Sequence, residues 1–280
     1  MVTLAVTGAT GYVGASLARR FESRGFGVIR IGRSAKGVDR RFALNEVPSP
    51  DLLAGADALI HCAWDVHARS PEAHRSNVEG AIALLDLARS SGVRTIIFVS
   101  SMAAFPGCRS THGRTKLEVE RAVAERSGTV IRPGVLYGDG SGGLFGTLAA
   151  LIKSSRLLPL VGGTVKLPLL HIDDLAELVC RLALGEPAAA SLVSAAYPER
   201  VAFQTILRTI AASMGRAVTL IPLPAALVLM GLKMLERGGL SPRTGSDNLI
   251  SLLNQNPGAE FPGEVAGIRF RPFNTVTMTQ

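Results

Sequence analysis

The sequence of 280 residues contains few cysteines, few tyrosines and tryptophans, and few lysines. Its three cysteines, Cys62, Cys108 and Cys180, form no CxxC pair, so we expect neither a disulfide framework nor a metal site. Unpaired cysteines are typical of a reducing compartment and predict a cytoplasmic location. One tryptophan and three tyrosines provide little surface on which nucleic-acid bases could stack.

The chain also lacks any cluster of positive charge, although it is basic overall. It has 30 basic and 22 acidic residues, which give a formal net charge of +8. Of the basic residues, 25 are arginines dispersed along the chain, without the run of five or six that marks a nucleic-acid-binding arm. We therefore expect no nucleic-acid partner, and we expect the positive charge to serve small anionic ligands.

Long hydrophobic runs are absent too. The most apolar stretch, 220–235, contains Pro222, Pro224 and Lys233 and is shorter than the ~20 residues that a membrane span requires. We expect a core-packed or interfacial helix there, and no membrane span. The first residues, 2–7, run directly into a glycine loop without a basic leader, so no signal peptide is expected. With 47% apolar and 19% charged residues, the composition excludes disordered and fibrous proteins.

Strand-like and helix-like segments alternate through the first half of the chain. This alternation predicts an α/β fold with a doubly wound parallel sheet and helices on both faces. The predicted strands are 2–7, 28–32, 56–63, 95–99 and 129–131, and the predicted helices are 12–24, 70–91 and 111–127, with Ser70 as an N-cap.

The alternation of strands and helices becomes less regular after about residue 135. We predict a helix ending near 155, another helix with Asp173 and Asp174 at its start, a strand at 192–195, a helix at 203–214, a strand at 218–221 and a helix ending at 237. Asp174 and Glu177 have the spacing of a capping carboxylate and its partner. We therefore predict a core over 1–170 and a mixed region over 171–280, which contributes to the core and forms a smaller substrate lobe.

A glycine loop follows the first predicted strand and opens the first predicted helix. Its glycines allow a tight turn and close approach to a pyrophosphate, which the helix N-terminus attracts. No Gly-Lys-Ser/Thr follows, so this is not a nucleotide-triphosphate loop. The loop predicts a Rossmann dinucleotide site with contacts from Gly8, Thr10, Gly11, Tyr12, Val13 and Gly14.

The end of the second predicted strand bears on the choice of cofactor. NAD sites place an acid there for the ribose hydroxyls, whereas NADP sites use a basic residue for the phosphate. Here Arg33 and Lys36 follow the strand, Arg30 lies within it, and the first acid is Asp39. Arg33, with Arg30 or Lys36 in support, therefore favours NADP(H), with NAD(H) as the alternative.

Later segments form a series with the glycine loop. They are His61-Cys62-Ala63, Asn77-Val78-Glu79-Gly80, Val99-Ser100-Ser101, Gly113-Arg114-Thr115-Lys116, Ile131-Arg132-Pro133-Gly134 with Tyr137-Gly138, and His171-Ile172-Asp173-Asp174. Over residues 2–180 the chain resembles the extended short-chain dehydrogenase/reductase superfamily, in its NAD(P)-dependent epimerase/dehydratase branch, which acts largely on nucleotide sugars.

The resemblance implies an NAD(P)-dependent oxidoreductase or epimerase/dehydratase acting on a nucleotide sugar or a similar hydroxyl or carbonyl substrate. It implies a homodimer formed through the helices 70–91 and 111–127. It also implies cofactor contacts from Cys62, Ala63, Lys116 and Pro133, and substrate contacts from Ser101, Met102 and Tyr137. Arg132 and Asp139 are expected near the substrate loop, and Asn77 near the active site or at a helix irregularity.

The family's chemistry uses a serine and a tyrosine placed four residues before a lysine. Ser101 and Lys116 match two of these positions, but His112 stands where the tyrosine belongs, and the segment between Ser101 and His112 is short for the extended type. Residues four apart lie side by side on a helix, so the lysine should lower the pKa of His112. A neutral imidazole is a competent general base.

Three interpretations of His112 remain open. It acts as an alternative acid/base; or the protein binds its cofactor without efficient turnover, as a sensor or assembly protein; or His112 only packs while another group acts.

Overall fold

The structure is a computed structural model that describes residues 1–274 except 67, 69, 139–141, 187–189, 241, 243 and 244. In chain order its strands are β1 (Thr3–Thr7), β2 (Gly27–Gly32), β3 (Arg40–Arg41), β4 (Ala58–His61), β5 (Thr95–Val99), β6 (Thr129–Pro133), β7 (Val135–Tyr137), β8 (Leu157–Leu160), β9 (Lys166–Leu167), β10 (Leu169–His171), β11 (Leu192–Ala195), β12 (Val201–Ala202), β13 (Thr219–Pro222), β14 (Glu264–Val265) and β15 (Ile268–Arg269).

The helices connect these strands. They are α1 (Tyr12–Ser23), α2 (Pro71–Ser90), α3 (Thr111–Glu125), α4 (Gly143–Ser154), α5 (Ile172–Ala183), α6 (Phe203–Ser213), α7 (Ala225–Arg237) and α8 (Ser246–Leu253), with a short 3-10 helix at Pro50–Leu53. The sequence-predicted N-cap of α2 is confirmed, because the Ser70 hydroxyl accepts a hydrogen bond from the Ala73 backbone N–H at 3.2 Å.

Seven of these strands form one parallel sheet in the order β3–β2–β1–β4–β5–β6–β11. The strand order reverses between β1 and β4, where Thr7 pairs with His61. Ligands of doubly wound sheets bind at such a switch point, at the carboxyl ends of the strands. The predicted α/β doubly wound fold is confirmed.

Both faces of the sheet are covered by helices. Leu17 of α1 and Leu175 of α5 pack with the sheet on one face, and Leu84 of α2 and Val119 of α3 pack on the other. Strand β5, with the sequence TIIFV, is apolar and buried from Ile96 to Val99 because each of its sides meets one of these layers.

A third hydrophobic cluster packs outside the seven-stranded sheet, where the smaller lobe is predicted. It joins Phe145 and Ile152 of α4 to Leu158 of β8 and to Ile206 and Ile210 of α6. Segments on both sides of residue 170 therefore pack together here, and the division of the chain at that residue stays a prediction.

The prediction that a carboxylate caps α5 is wrong. The N-cap is His171, whose Nδ1 accepts a hydrogen bond from the Asp173 backbone N–H at 3.2 Å. Asp173 pairs with Arg20, and Asp174 binds Arg271 through a backbone N–H at 2.9 Å and Nε at 2.8 Å. Both carboxylates tie α5 to other segments, although their charge still suits the first turn of a helix.

The C-terminal region contains elements that the sequence pattern did not predict. Strands β14 and β15 have two residues each, too few for periodicity to mark them. Helix α7 lies at the surface, since none of its 13 described residues is buried. Among the described residues, no helix has the length and hydropathy required to cross a membrane.

Candidate cofactor and catalytic site

The glycine loop is built so that larger residues would not fit. Gly8 has a φ of +67°, and a Cβ there would lie 2.8 Å from the Cα of Ala63. A Cβ on Gly14 would lie 2.3 Å from the Gly8 carbonyl oxygen. Gly11 is the N-cap of α1 and has no side chain to occupy the helix N-terminus. The close backbone approach and the open helix end fit a dinucleotide pyrophosphate.

Thr7 holds the loop that follows β4 next to these glycines through hydrogen bonds. Its Oγ1 accepts hydrogen bonds from the backbone N–H groups of Cys62 at 3.1 Å and Ala63 at 3.2 Å, and it lies 2.8 Å from Nδ1 of His61. A hydroxyl has two lone pairs and one hydrogen, so with both lone pairs used the hydroxyl donates to His61. His61 is therefore neutral, with its proton on Nε2, and burial lowers its pKa to about 3.

The glycine loop is tied to the end of β2. The Ala9 N–H donates to the Ile31 carbonyl at 3.1 Å. Arg33 and Lys36 follow β2 and are exposed, and Thr10, also predicted as a cofactor contact, is exposed in the glycine loop. The predicted cofactor residues of the loop and of this strand end thus occupy one region.

Arg30 does not join them, although the sequence suggested that it supports Arg33. Its guanidinium pairs with Glu22 of α1 at 2.7 Å, and its backbone N–H donates to Asp39 at 2.7 Å. The first acid after β2 is therefore also engaged by the protein backbone. Arg33 and Lys36 remain the cations that are predicted to meet a cofactor phosphate.

Tyr12 and Val13 begin helix α1 with different surroundings. The ring of Tyr12 lies against Gly142 and Gly143, where a Cβ on Gly142 would fall 1.9 Å from a ring carbon. Val13 packs against the hydrophobic core next to α1. At both positions it is the backbone at the helix N-terminus that could meet a phosphate.

Lys116 is buried in an aromatic cage. Its Nζ donates to the Val99 carbonyl at 2.9 Å and lies 4.6 Å from the centroid of the Trp64 ring and 4.8 Å from that of Phe98. Burial lowers the pKa of Lys116 to about 8, and the negative charge of Glu120 opposes the shift. The amine therefore lies at the carboxyl end of β5 with Trp64 over it.

His112 lies one turn before Lys116 and meets the same tryptophan. The rings of His112 and Trp64 pack edge to face with centroids 5.9 Å apart. Burial lowers the pKa of His112 to about 4, and Lys116 contributes a smaller shift in the same direction. The imidazole is therefore neutral near pH 7, and desolvation is the larger cause rather than the lysine on which the sequence argument relied.

The start of α3 is held by a distant carboxylate. Asp247 of α8 accepts hydrogen bonds from the backbone N–H groups of Thr111 at 2.6 Å and His112 at 3.0 Å. Ser110 caps the same helix through Gly113 at 3.1 Å. The position of His112 thus depends on the C-terminal region of the chain.

Ser101 and Met102 lie in the turn after β5. The Ser101 hydroxyl accepts a hydrogen bond from the Ala103 N–H at 3.2 Å, and the Met102 N–H is 3.4 Å from the carbonyl of Pro133 at the end of β6. Met102 also borders a small gap shared with Arg200 of the lobe. Ser101, Met102 and Pro133, which are all predicted site residues, therefore lie together at the carboxyl ends of β5 and β6.

Arg132 was expected near the substrate loop, but its guanidinium is bound to Glu120. Its Nε and terminal nitrogen lie 2.9 and 2.5 Å from the two carboxylate oxygens, and the Ser100 hydroxyl donates to the same carboxylate at 2.5 Å. The side chains of Arg132 and Glu120 are only 12% and 6% exposed. The charge of Arg132 is therefore neutralised within the protein, and its expected place near the substrate loop stays a prediction.

The remaining predicted residues have protein partners or lie outside the described chain. Tyr137 is buried, and its hydroxyl donates to the Pro272 carbonyl at 3.2 Å, so its predicted substrate contact stays a prediction. Asn77 holds the loop after β4, because its amide exchanges hydrogen bonds with the backbone of Asp65 at 2.8 and 3.2 Å. Asp139 lies outside the described residues.

The cysteines are unpaired thiols. Burial raises the pKa of Cys62 to about 12 and that of Cys180 to about 11, so both are protonated and poor nucleophiles near neutral pH. In the part of the chain that the structure describes, no three His, Cys, Asp or Glu side chains are grouped to hold a metal ion.

Sequence reasoning missed three residues of this site. Trp64 directly follows the predicted contacts Cys62 and Ala63 and is the only tryptophan, which was a usable signal. Thr7 ends a predicted strand, where a polar residue among apolar ones was also a signal. Asp247 is 135 residues from His112, and no local pattern relates them.

The comparisons with known proteins identify the family of this chain. The family model for the NAD dependent epimerase/dehydratase family matches residues 4–191, and the chain belongs to that family. The predicted family is confirmed, and with it a relationship to enzymes that use a nicotinamide cofactor.

Individual relatives differ in activity. Over 62% of its length the chain is 32% identical to ceramide reductase of Caulobacter vibrioides, of which it covers 58%. Over 79% of its length it is 26% identical to UDP-glucose 4-epimerase of Vibrio cholerae, covering 79% of that protein. The chain also matches the crystal structure of UDP-N-acetylglucosamine 4-epimerase from Bacillus cereus with a TM-score of 0.67 and 18% identity. This match covers 80% of this chain and 86% of that one, and it shows that the two share a fold. The chain spans about three fifths of the first two curated relatives that it matches.

Proposed function

We propose that this protein interconverts a hydroxyl and a carbonyl group with NADP(H) or NAD(H), and that His112 takes the acid/base role of the family's tyrosine. One observation carries the proposal. A neutral His112 lies one helical turn from Lys116, at the carboxyl end of β5, and the glycine loop lies at the same edge of the sheet because β1, β4 and β5 are parallel.

The residues that would hold the cofactor are the glycine loop and α1 N-terminus for the pyrophosphate, and Arg33 with Lys36 for an adenosine phosphate. Cys62, Ala63 and Pro133 would border it, and Lys116 would bind its ribose. When bound, the cofactor supplies or accepts a hydride at the substrate carbon.

The chain's own residues handle the proton. In oxidation, neutral His112 accepts the proton of the substrate hydroxyl while the hydride leaves the same carbon; in reduction, protonated His112 returns the proton to the oxygen. Ser101 would donate a hydrogen bond to that oxygen. Because the pKa of His112 is about 4, its neutral form predominates near pH 7, so the form that accepts a proton is the populated one, although its basicity is low.

The substrate class has two candidates. The family resemblance favours a nucleotide sugar, which suits a chain with a net charge of +8. The match to ceramide reductase, whose name describes a lipid reductase, supports a ketone on a lipid chain instead. A panel containing UDP-sugars and long-chain ketones, assayed with both reduced and both oxidised cofactors, separates these classes.

Variants of His112 test the chemistry. Turnover that is lost in His112→Ala, while cofactor affinity is kept, supports the acid/base role. Turnover that survives in His112→Ala at the wild-type rate contradicts it. Arg33→Ala tests the phosphate assignment: we expect weaker NADPH binding and little change for NADH, and equal affinities in both proteins would contradict it.

A second function is favoured by the cage around Lys116. Its amine is bound to the Val99 carbonyl and covered by Trp64, an arrangement that suits a protein which binds cofactor without turnover. Tight binding with no turnover on the panel, and turnover gained in His112→Tyr, would support this sensor or assembly role.

We also infer a homodimer formed through α2 and α3. These helices pack side by side, and a groove of about 670 Å³ runs along them, lined by Arg75, Thr115 and Glu118 among others. Sedimentation equilibrium tests it: a dimer lost in Thr115→Arg supports this interface, and a monomer at all concentrations contradicts it. The cytoplasmic location stays a prediction.

A further inference from the structure

Helix α7 and strand β13, which precedes it, expose an unusual amount of apolar surface. Among the described residues, 14 large apolar side chains are exposed, and seven of them lie between 221 and 240. Scattered exposed apolar residues are normal, but a contiguous group marks a binding surface. We call this region the α7 surface.

The apolar residues of α7 form one stripe. Leu227, Met230 and Met234 recur at the spacing of a helix face and are 60%, 57% and 64% exposed. The opposite side of the helix, with Val228 and Leu232, is half-buried against the protein. The stripe therefore points outward along the whole helix.

A line of positive charge borders the stripe. Lys233 and Arg237 lie one turn apart and are exposed next to Met230 and Met234 on the helical wheel. The single acid of α7, Glu236, is turned to α8, where its carboxylate accepts hydrogen bonds from the backbone N–H and the hydroxyl of Ser246 at 2.7 and 2.6 Å. The outward face is thus apolar and cationic without an opposing carboxylate of its own helix.

The neighbouring strands β13 and β8 continue this apolar and basic surface. Strand β13 lies parallel to β8, and exposed Ile221 and Leu157 add apolar surface to it. The segment preceding and including β8 contributes exposed Lys153 and Arg156. Between residues 142 and 172 the sequence contains no acid.

We propose that the α7 surface docks on an anionic lipid bilayer, with the apolar stripe at the level of the acyl chains and the basic residues at the headgroups. An apolar stripe with lysine and arginine on its border is the pattern of an interfacial helix, which lies on a membrane and does not cross it. Charge complementarity selects an anionic bilayer, since each basic residue near such a surface adds to binding. The inference does not depend on the proposed chemistry.

Co-sedimentation of the full chain with vesicles tests the proposal. We expect binding to phosphatidylcholine vesicles that contain phosphatidylglycerol, weaker binding at high salt, and little binding to pure phosphatidylcholine. The double variant Met230→Glu/Met234→Glu should lower the affinity for these vesicles by about tenfold or more, because it places two negative charges where apolar side chains would be buried. The double variant Lys233→Gln/Arg237→Gln should lower the affinity by a similar factor, because it removes two positive charges that attract the anionic headgroups.

The matched control is Leu184→Glu, since Leu184 is 57% exposed, as Met230 is, but lies after α5. It should bind as the wild type does. All substituted side chains are exposed, and unchanged circular dichroism and melting temperature confirm folding.

Three results would overturn the proposal. The first is an absence of binding to anionic vesicles at low salt. The second is binding that neither double variant weakens. The third is self-association that Met230→Glu/Met234→Glu abolishes in a chain that does not bind vesicles, which would assign the α7 surface to a second copy.

Discussion

The Thr7 hydroxyl is the structural link between the first strand and the loop that lies against the glycines. Replacement of Thr7 by valine keeps the shape and removes three hydrogen bonds, to the N–H groups of Cys62 and Ala63 and to Nδ1 of His61. Each such bond contributes about 1 kcal/mol net. Because the two N–H groups are only part-buried, water replaces some of the loss, and we expect Thr7→Val to lower the free energy of unfolding by about 2 to 3 kcal/mol.

Urea unfolding at neutral pH, followed by circular dichroism, measures this change. Thr7→Ser is the control: it keeps the hydroxyl and removes a methyl group, so a loss of about 1 kcal/mol is expected. Cofactor affinity should fall in the valine variant and stay near the wild-type value in the serine variant. The reasoning is refuted if valine costs no more than serine, since the hydroxyl would then contribute nothing.

Three further predictions concern the core and the loop. His61 binds a proton below pH 6.5 when unfolded but only near pH 3 when folded, so His61 should contribute about 2 kcal/mol to the loss of stability between pH 7 and 5, and His112, with a pKa of about 4, should add a similar amount. In urea unfolding, the free energy of unfolding of His61→Asn should fall by about 2 kcal/mol less than that of the wild type over this range, and an equal fall would contradict this. Gly14→Ala should weaken cofactor binding, because the added Cβ would meet a backbone oxygen. Gly231→Ala, where the added Cβ has open space in α7, should instead raise the stability of the protein by up to about 1 kcal/mol. Equal effects of the two variants in thermal melts and cofactor titrations would refute this prediction. Glu120→Gln should cost about 3 kcal/mol or more in urea unfolding by leaving Arg132 without its buried carboxylate, and a loss below about 1 kcal/mol would show that water or another group compensates.

Local patterns were enough to predict most of the Rossmann core. The strand at 95–99 and the strand at 192–195 have the predicted bounds, because a short apolar run between a glycine or polar turn and a helix leaves few alternatives. The glycine spacing predicted the loop for a reason that the structure displays, since Gly8 and Gly14 have no room for a side chain.

The candidate site was harder to predict because its surroundings come from distant segments. Nothing near His112 in the sequence indicates that Asp247 holds its backbone or that Trp64 packs on its ring. Arg132 has the charge of a ligand-binding residue, and only the fold shows that Glu120 neutralises it. A sequence displays a charge but not the partner that the tertiary structure brings to it.

The central claim is that the glycine loop and the His112–Lys116 pair serve one bound nicotinamide cofactor. Trp64 is the only tryptophan, and its ring lies 4.6 Å from Nζ of Lys116, so its fluorescence reports on this site. Titration with NADPH and with NADH should quench Trp64 saturably, with NADPH binding more tightly, and Gly14→Ala should shift the quenching to higher cofactor concentrations. Fluorescence that neither cofactor changes, or quenching that is the same in Gly14→Ala, would contradict the claim.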